Sequence, residues 1–253
     1  MSTIARAIAL LRHIANEGAG GARLVDLSRR AGLPHPTTRR LLKKLIEERM
    51  VLQSSATSRY RLGPLTYEMG LAATNYYGDL VEICRPHLML LVSITQDNAF
   101  LLMRSGYEAL CLDRAEGQFS IRTVVLRIGG RRPLGVGPAG LALLAEMPDE
   151  QINDFLLHQS SALADFRATE PATLWRTIEE TRRKGYASCS EWANSGLDGV
   201  GVALPARGAA QAAISIVGPR ERLDAQRIEH VAPLVLEAAE KISADLSSTS
   251  WMS

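Results

Sequence analysis

The sequence predicts an α+β protein made of a small basic module and a larger acidic body. The first 63 residues carry twelve Arg and Lys against four Asp and Glu, a formal charge of +8, and the remainder carries seventeen against twenty-three, a formal charge of −6. Residues 24–49 show two short helical patterns around a glycine-containing turn. Beyond residue 98, short strand-like runs flank a block of helical patterns, which is typical of an antiparallel sheet flanked by helices.

Composition restricts the class of protein. A chain of 253 residues favours two domains, and an apolar content of 46% is sufficient for buried cores. We do not expect a signal peptide, because Arg6, Arg12 and His13 interrupt the apolar stretch at the N-terminus, and no apolar run has the length of a membrane span. The three cysteines are scattered and form no CxxC pair, which indicates reduced thiols in a cytoplasm better than a disulfide framework. We therefore expect a cytoplasmic protein that does not contact a membrane.

Three helices are expected in the basic module. The first begins near Thr3 and ends at the glycine-rich residues 17–21. The second covers residues 24–31, and the tight turn Gly32-Leu33-Pro34 follows it. The third covers residues 36–49 and buries its leucines. The apolar residues that recur at helical spacing in the first helix are Ile4, Ala7, Ile8, Leu11 and Ile14.

A hairpin is expected after the third helix, with strands at residues 50–53 and 59–62. This hairpin is the wing of a winged helix-turn-helix, in which the second helix of the motif meets base edges and its N-terminus favours phosphate. We therefore predict that residues 1–63 bind double-stranded DNA. The spacing leaves open whether Arg39 and Arg40 contact guanine or phosphate. The predicted DNA contacts are His35, Thr37, Thr38, Arg39, Arg40, Lys43 and Arg59.

The body follows a helical stretch at residues 64–78. This stretch predicts a linker helix, or alternatively the first helix of the body, and a further helix is expected over residues 79–97. The expected strands cover residues 99–104, 108–113, 118–125, 186–190, 200–204 and 212–217. The expected helices cover residues 138–146, 150–157, 171–184 and 222–246.

Two motifs suggest chemistry that their surroundings do not support. Residues 135–140 match GxGxxG, but Arg131-Arg132-Pro133 precedes them where a dinucleotide site needs a strand in a βαβ unit. A glycine-rich turn into a helix with free amides for an anionic ligand is the better interpretation. Glu191 and Asp198 lie near serines without a nucleophile elbow, so exposed loop charges are favoured over hydrolysis.

The histidines do not predict a metal site. All five lie far apart, without HxH or HExxH spacing. With no catalytic constellation in the sequence either, we expect neither an enzyme nor a cofactor.

Residues 26–45 together with residues 60–63 resemble the winged helix of the IclR family of bacterial transcriptional regulators. The shared pattern is a helix, Gly-Leu-Pro, a Ser/Thr pair, Arg-Leu-Leu and a wing that ends in Tyr-x-Leu-Gly. Pro36 and Thr38 depart slightly from it, which affects base preference more than fold, since proline is acceptable in a first helical turn. Further segments resemble the family in the same order through the body, at residues 129–134, 142–145, 183–186 and 213–219.

The resemblance implies a GAF-like effector-binding and oligomerisation domain at residues 79–253, with a pocket on one side of its sheet. It implies a ligand-responsive regulator of a catabolic operon that binds DNA as a dimer or tetramer, with a small organic or aromatic acid as effector. Leu141 replaces a common lysine and Gly199 a common cysteine, which alters effector choice. By the resemblance Ser215 supplies a hydroxyl to the pocket; the alternative is a serine that faces the core and hydrogen-bonds to the backbone. The implied effector contacts are Gly137, Pro138, Ala139, Cys189, Glu191, Asp198, Gly199 and Ser215.

Two other functions fit the same chain less well. An α+β enzyme with an accessory DNA-binding module is disfavoured by the missing catalytic constellation. An architectural DNA-binding protein without effector is disfavoured by a body of about 175 residues.

Overall fold

The chain forms two compact units, Met1–Tyr76 and Tyr77–Ser253. The computed structural model describes residues 2–118, 126–164, 171–189, 196–204, 211–247 and 249. The division predicted from sequence, with a separate linker at residues 64–78, stays a prediction. Within the described residues, no helix is long and apolar enough to cross a membrane.

The first unit has the predicted order of helices and hairpin. Its α2 matches the predicted bounds, and Gly32 ends that helix in the left-handed conformation. The third helix is shorter than predicted, because Arg49 turns to a positive φ of 58° and stops it. The elements are α1 (Thr3–Asn16), α2 (Leu24–Ala31), α3 (His35–Glu47), β1 (Val51–Gln53), β2 (Tyr60–Leu62) and the first part of α4 (Pro64–Thr95).

The apolar residues of α1 do not all face the core. Leu10 and Ile14 are buried against α2, α3 and the hairpin, whereas Ile4 is 73% exposed and Ile8 is 45% exposed. Apolar residues cover more of α1 than one core can bury, so helical spacing identified the helix but not which stripe packs inward.

The predicted linker helix and the first body helix are one continuous helix, α4. The break expected near Gly78 does not occur. A single glycine costs a helix only about 1 kcal/mol, and Leu80 and Cys84, which follow it, are fully buried in the core of the second unit.

Within the described residues, an antiparallel sheet of six strands forms the centre of the second unit, and the predicted α+β fold is confirmed. Its spatial order is β5-β4-β3-β8-β7-β6. The edge strand β5 was not predicted, and the strand predicted at residues 118–125 lies outside the described residues except for Gln118, which is not in a strand. The strands are β3 (Asn98–Ser105), β4 (Glu108–Ala115), β5 (Arg131–Pro133), β6 (Ala187–Cys189), β7 (Leu197–Leu204) and β8 (Ala212–Pro219).

Helices cover both faces of this sheet. We call the side packed by α4 and α8 the helix-pair face; it buries Leu101, Val200 and Ile214. We call the other side the α5 face; it buries Phe100 and Ala213. Alternate residues of each strand point to opposite faces, which explains this division. The remaining helices are α5 (Gly137–Ala145), α6 (Asp149–Ala164), α7 (Pro171–Lys184) and α8 (Ala225–Leu246).

A β-bulge interrupts this alternation between β3 and β4. Leu102 pairs with Cys111 and Leu101 pairs with Asp113, so Leu112 is an extra residue on β4. The bulge lets both Leu112 and Asp113 lie on the helix-pair face, where the Asp113 carboxylate accepts hydrogen bonds of 2.6 and 2.7 Å from Arg85 of α4.

Candidate DNA interface and effector site

Helix α3 has one apolar face and one basic face. Leu41, Leu42 and Leu45 are buried in the core of the first unit. Within the part of the chain that the structure describes, the guanidinium groups of Arg39 and Arg40 have no ion pair or hydrogen bond. The exposed residues of the basic face are His35, Arg39, Arg40, Lys43 and Lys44.

The first turn of α3 can also bind an anion. No side chain caps this helix, whose N-cap is Pro34, and Pro36 has no N–H. The amides of His35 and Thr37 therefore lie at an uncapped N-terminus, where the partial positive charge of the helix favours phosphate.

Thr38 does not belong to this surface, which corrects the prediction. Its side chain is fully buried, and its hydroxyl donates to the Pro34 carbonyl at 3.1 Å. A hydroxyl in that position cannot reach a phosphate or a base edge. Thr38 lies three residues before Leu41 and four before Leu42, on the apolar stripe of the helix, and that spacing was the signal that it packs inward. Thr37 is half-buried and remains a candidate contact.

Arg59 has a hydrogen-bond partner within the first unit, and its contact with DNA stays a prediction. Its guanidinium donates to the Gly21 carbonyl at 2.8 Å and joins the wing to the loop after α1. Arg61, which the prediction missed, is the exposed cation of β2. Tyr60 is buried beside it, so strand alternation already pointed Arg61 toward solvent.

Cross-strand rows bring three of the predicted effector residues, Cys189, Gly199 and Ser215, to the α5 face. Ser215 of β8 pairs with Phe100 on one side and Gly201 on the other. The neighbouring row joins Cys189, Gly199 and Val217. Ser215 is 2% exposed and supplies the hydroxyl of these two rows. Phe100 and Val217 were missed, because only the sheet order places them beside Ser215.

The first turn of α5 lies directly on β7. A Cβ atom at Gly201 would lie 2.4 Å from the carbonyl carbon of Pro138 and 2.6 Å from the nitrogen of Ala139, and one at Gly199 would lie 3.0 Å from Cγ of Pro138. Only glycine permits this approach. As with α3, no side chain caps α5, and Pro138 has no N–H, so the amides of Gly137 and Ala139 lie at an uncapped helix N-terminus beside the row that contains Ser215.

Asp198 does not join this group, although it was predicted to. It lies between Leu197 and Gly199 and points to the helix-pair face together with Val200 and Val202, where its carboxylate contacts Arg220 at 3.4 Å. The strand begins three residues earlier than predicted, and its alternation then places Asp198 opposite Gly199. Glu191 lies outside the described residues.

The thiols are buried and neutral. Burial raises the pKa of Cys84 and of Cys111 to about 12, and burial with the nearby Asp198 carboxylate also raises the pKa of Cys189. A neutral Cys189 adds no negative charge to the α5 face. Within the described residues, no group of three His, Cys, Asp or Glu is placed to hold a metal ion.

We expect these three thiols to react slowly in the folded protein. A thiol reacts as its thiolate, and a raised pKa keeps the thiol protonated at pH 8. The measurement is the rate of reaction with a chromogenic disulfide at pH 8, with the urea-unfolded chain as control. A thiol that reacts as fast in the folded as in the unfolded chain would contradict the burial described here.

A separate hollow of about 240 Å³ lies beside the turn between β3 and β4 and contains none of the predicted effector residues. Its lining residues are Arg104, Gly106, Tyr107, Met147 and Gln151.

Comparison with known protein families matches both units. Residues 3–55 match the family described as "IclR helix-turn-helix domain", and residues 74–244 match "Bacterial transcriptional regulator IclR C-terminal". The chain is 30% identical over 245 residues to the HTH-type transcriptional repressor AllR of Escherichia coli, covering 95% of this chain and 89% of that protein. It is 29% identical over 248 residues to the transcriptional repressor IclR of the same organism, covering 96% and 89%.

Solved structures are similar over the whole chain. An IclR homolog from Microbacterium hydrocarbonoxydans complexed with 4-hydroxybenzoate has a TM-score of 0.79 at 24% identity and covers 98% of this chain and 100% of that one. The Thermotoga maritima IclR has a TM-score of 0.69 at 25% identity, with coverage of 96% and 98%.

Proposed function

Because the chain belongs to the IclR family of bacterial transcriptional regulators, we propose that it controls a catabolic operon in response to a small aromatic or other organic acid. It is a ligand-responsive DNA-binding regulator. The observation that carries the proposed ligand class is the uncapped first turn of α5, which packs directly on β7. Ser215 of β8 supplies the hydroxyl of the two cross-strand rows beside that turn.

The chemistry of the α5 face favours an apolar acid. Phe100, Val217 and the neutral Cys189 are apolar and belong to the same buried cluster, and an apolar lining suits a ring or a short carbon chain. The amides of the first α5 turn suit a carboxylate, and Ser215 suits a second polar group. The Microbacterium relative holds 4-hydroxybenzoate, which has this combination of groups.

Binding to an operator as a homo-oligomer is part of the proposal. One winged helix makes few base contacts, so two copies on a palindromic site give tighter binding. The first unit leaves large apolar side chains exposed, which a second copy can cover. These exposed residues include Ile4, Ile8, Tyr67, Met69 and Leu71.

A thermal-shift experiment tests the ligand class. Small organic acids, with 4-hydroxybenzoate among them, are added to the full chain, and each acid that raises the melting temperature is tested on operator affinity. The operator fragment is selected from random double-stranded DNA by repeated binding to the protein. An acid that changes both the melting temperature and the operator affinity supports the proposal. Turnover of that acid supports the enzyme alternative. If no acid changes the melting temperature, the proposed ligand class is contradicted.

Ser215→Leu is expected to abolish the response to such an acid while operator binding persists. Ser215 and Phe100 are both buried, so the larger side chain crowds this part of the α5 face, and overpacking costs about 1–3 kcal/mol of stability. The measurement is operator affinity with and without 4-hydroxybenzoate. Ser215→Ala removes only the hydroxyl and should weaken acid binding without abolishing it.

Arg104→Ala is the matched control for this variant, because it alters the separate hollow on the same sheet. A full response in Ser215→Leu, together with a lost response in Arg104→Ala, would move the effector site to that hollow.

A further inference from the structure

A buried carboxylate lies directly after α4, on the side of the sheet away from the candidate effector site. Asp97 is 1% exposed. Its Oδ1 accepts a hydrogen bond of 3.0 Å from Nε of Arg222, and its Oδ2 lies 3.7 Å from a terminal nitrogen of Arg227. Arg222 precedes α8 and Arg227 lies in its first turn. We call Asp97, Thr95, Arg222 and Arg227 the Asp97 cluster.

The same two arginines also hold the end of α4. The Thr95 carbonyl accepts hydrogen bonds from Arg227 at 2.9 Å and from Arg222 at 3.3 Å. Thr95 is the last residue of α4, and its carbonyl is among those that have no partner within the helix. The cluster therefore ties the end of α4 to the start of α8.

The cluster touches the strands that carry the candidate effector residues. A Cβ atom at Gly218 would lie 2.6 Å from Oδ1 of Asp97, so β8 passes directly under this carboxylate. Gly218 lies three residues after Ser215 on the same strand and pairs with Asp198, the neighbour of Gly199. A displacement of β7 or β8 on the α5 face thus moves backbone that contacts Asp97.

Two atoms of the cluster are buried without a hydrogen bond among the described residues. They are Oδ2 of Asp97 and Nε of Arg227, an acceptor and a donor. The 3.7 Å contact between Asp97 and Arg227 is longer than a hydrogen bond. A shift of roughly 1 Å at the first turn of α8 would convert this contact to a hydrogen bond, since such bonds measure about 2.7–3.2 Å. The cluster therefore has a second, closer arrangement within reach.

We propose that Asp97 is a positioning residue for the effector response, which transmits the state of β7 and β8 to α4 through Arg222 and Arg227. Helix α4 runs without a break from the first unit into the second, so its C-terminal end is joined covalently to the winged helix. This inference rests on the proposed function. Coupling between two sites requires an element with two arrangements whose equilibrium both sites shift. Here the element is the Asp97 cluster, and the two sites are the candidate effector site and the winged helix.

The test compares Asp97→Asn and Arg227→Gln with Arg85→Gln in the full chain. Arg85 also lies on α4 and also pairs with a buried aspartate, but its partner Asp113 belongs to β4. For each variant, calorimetry measures binding of 4-hydroxybenzoate, and a titration measures operator affinity with and without it. Arg227→Lys keeps the charge and serves as the rescue.

We expect the acid to change operator affinity about tenfold in the wild type and in Arg85→Gln, a typical size for allosteric coupling. In Asp97→Asn and Arg227→Gln the change should fall to about twofold or less while the acid still binds, and Arg227→Lys should restore part of it. A full response in both cluster variants overturns the proposal. If Arg85→Gln also loses the response to the acid, the proposal is overturned, because any loosening of α4 would then be enough to abolish the response.

A ligand-free arm separates this inference from the proposed function. If the wild type binds neither 4-hydroxybenzoate nor any other acid of the thermal-shift series, the proposed ligand class fails, and Ser215→Val replaces the acid as the perturbation of the α5 face. Amide hydrogen exchange of residues 91–96 should then change on adding Ser215→Val to the Arg85→Gln background. The same addition to the Asp97→Asn background should leave that exchange unchanged. An equal change in both backgrounds, or no change in either, overturns the inference.

Discussion

Replacing Arg39 and Arg40 together by alanine is expected to lower operator affinity by at least about 30-fold. A contact of an arginine with a base contributes about 1–3 kcal/mol and a hydrogen bond to a charged group about 1.5–3 kcal/mol, and 1.4 kcal/mol corresponds to about tenfold in affinity. Both side chains are exposed on α3, and neither is paired within the described residues, so both are available for DNA. The measurement is a titration of the selected operator and of random DNA at several salt concentrations.

The single variants distinguish the two kinds of contact. Loss of a base contact relaxes the preference at one operator position, whereas loss of a phosphate contact weakens all sequences alike and reduces the salt slope by about one unit. The control removes two exposed charges of the second unit, by Arg183→Ala with Lys241→Ala. Equal affinity losses in the control and in the α3 double variant would contradict the assignment of α3 as the recognition helix.

Gly201→Ala is expected to lower the free energy of unfolding of the second unit by about 2 kcal/mol or more, at the upper end of overpacking. The added methyl group would lie 2.4–2.6 Å from three backbone atoms of Pro138 and Ala139, and backbone cannot rotate away as a side chain can. Helix α5 must therefore move off β7. We also expect weaker binding of 4-hydroxybenzoate, because the amides of α5 move with it. Urea unfolding and calorimetry measure the two effects.

Gly70→Ala is the control for this variant. Gly70 lies inside α4, and a methyl group added to it would meet no neighbouring atom within 4 Å, so alanine should stabilise the helix by about 1 kcal/mol. The two substitutions add the same atoms and should change stability in opposite directions. A Gly201→Ala protein as stable as the wild type would contradict the close packing of α5 on β7.

Local patterns predicted the elements of this chain better than the direction of its side chains. The turn at Gly32 and the charge of α3 depend on neighbouring residues, and both are confirmed. The DNA contact predicted for Thr38 and the effector contact predicted for Asp198 were wrong for one reason. Each residue lies beside the predicted site in sequence, but on the opposite face of its helix or strand. Which face packs inward depends on tertiary contacts, and for Asp198 on a strand boundary that was predicted three residues late.

The rest of the effector site needed the sheet order. Phe100 and Ser215 are neighbours only because β3 pairs with β8. The spacing of 115 residues between them carries no signal of that pairing. The fusion of the linker with the first body helix was missed for a related reason, because burial of Leu80 and Cys84 outweighs the local cost of Gly78.

The β-bulge at Leu112 bears on how chains of this fold vary in length during evolution. Most single-residue deletions within a paired strand turn every following side chain to the wrong face. Deletion of Leu112 would instead leave Cys111 opposite Leu102 and Asp113 opposite Leu101, with the carboxylate still facing Arg85. Position 112 is thus a place in the sheet where a lineage can gain or lose one residue and keep its register, at the cost of one partly buried leucine.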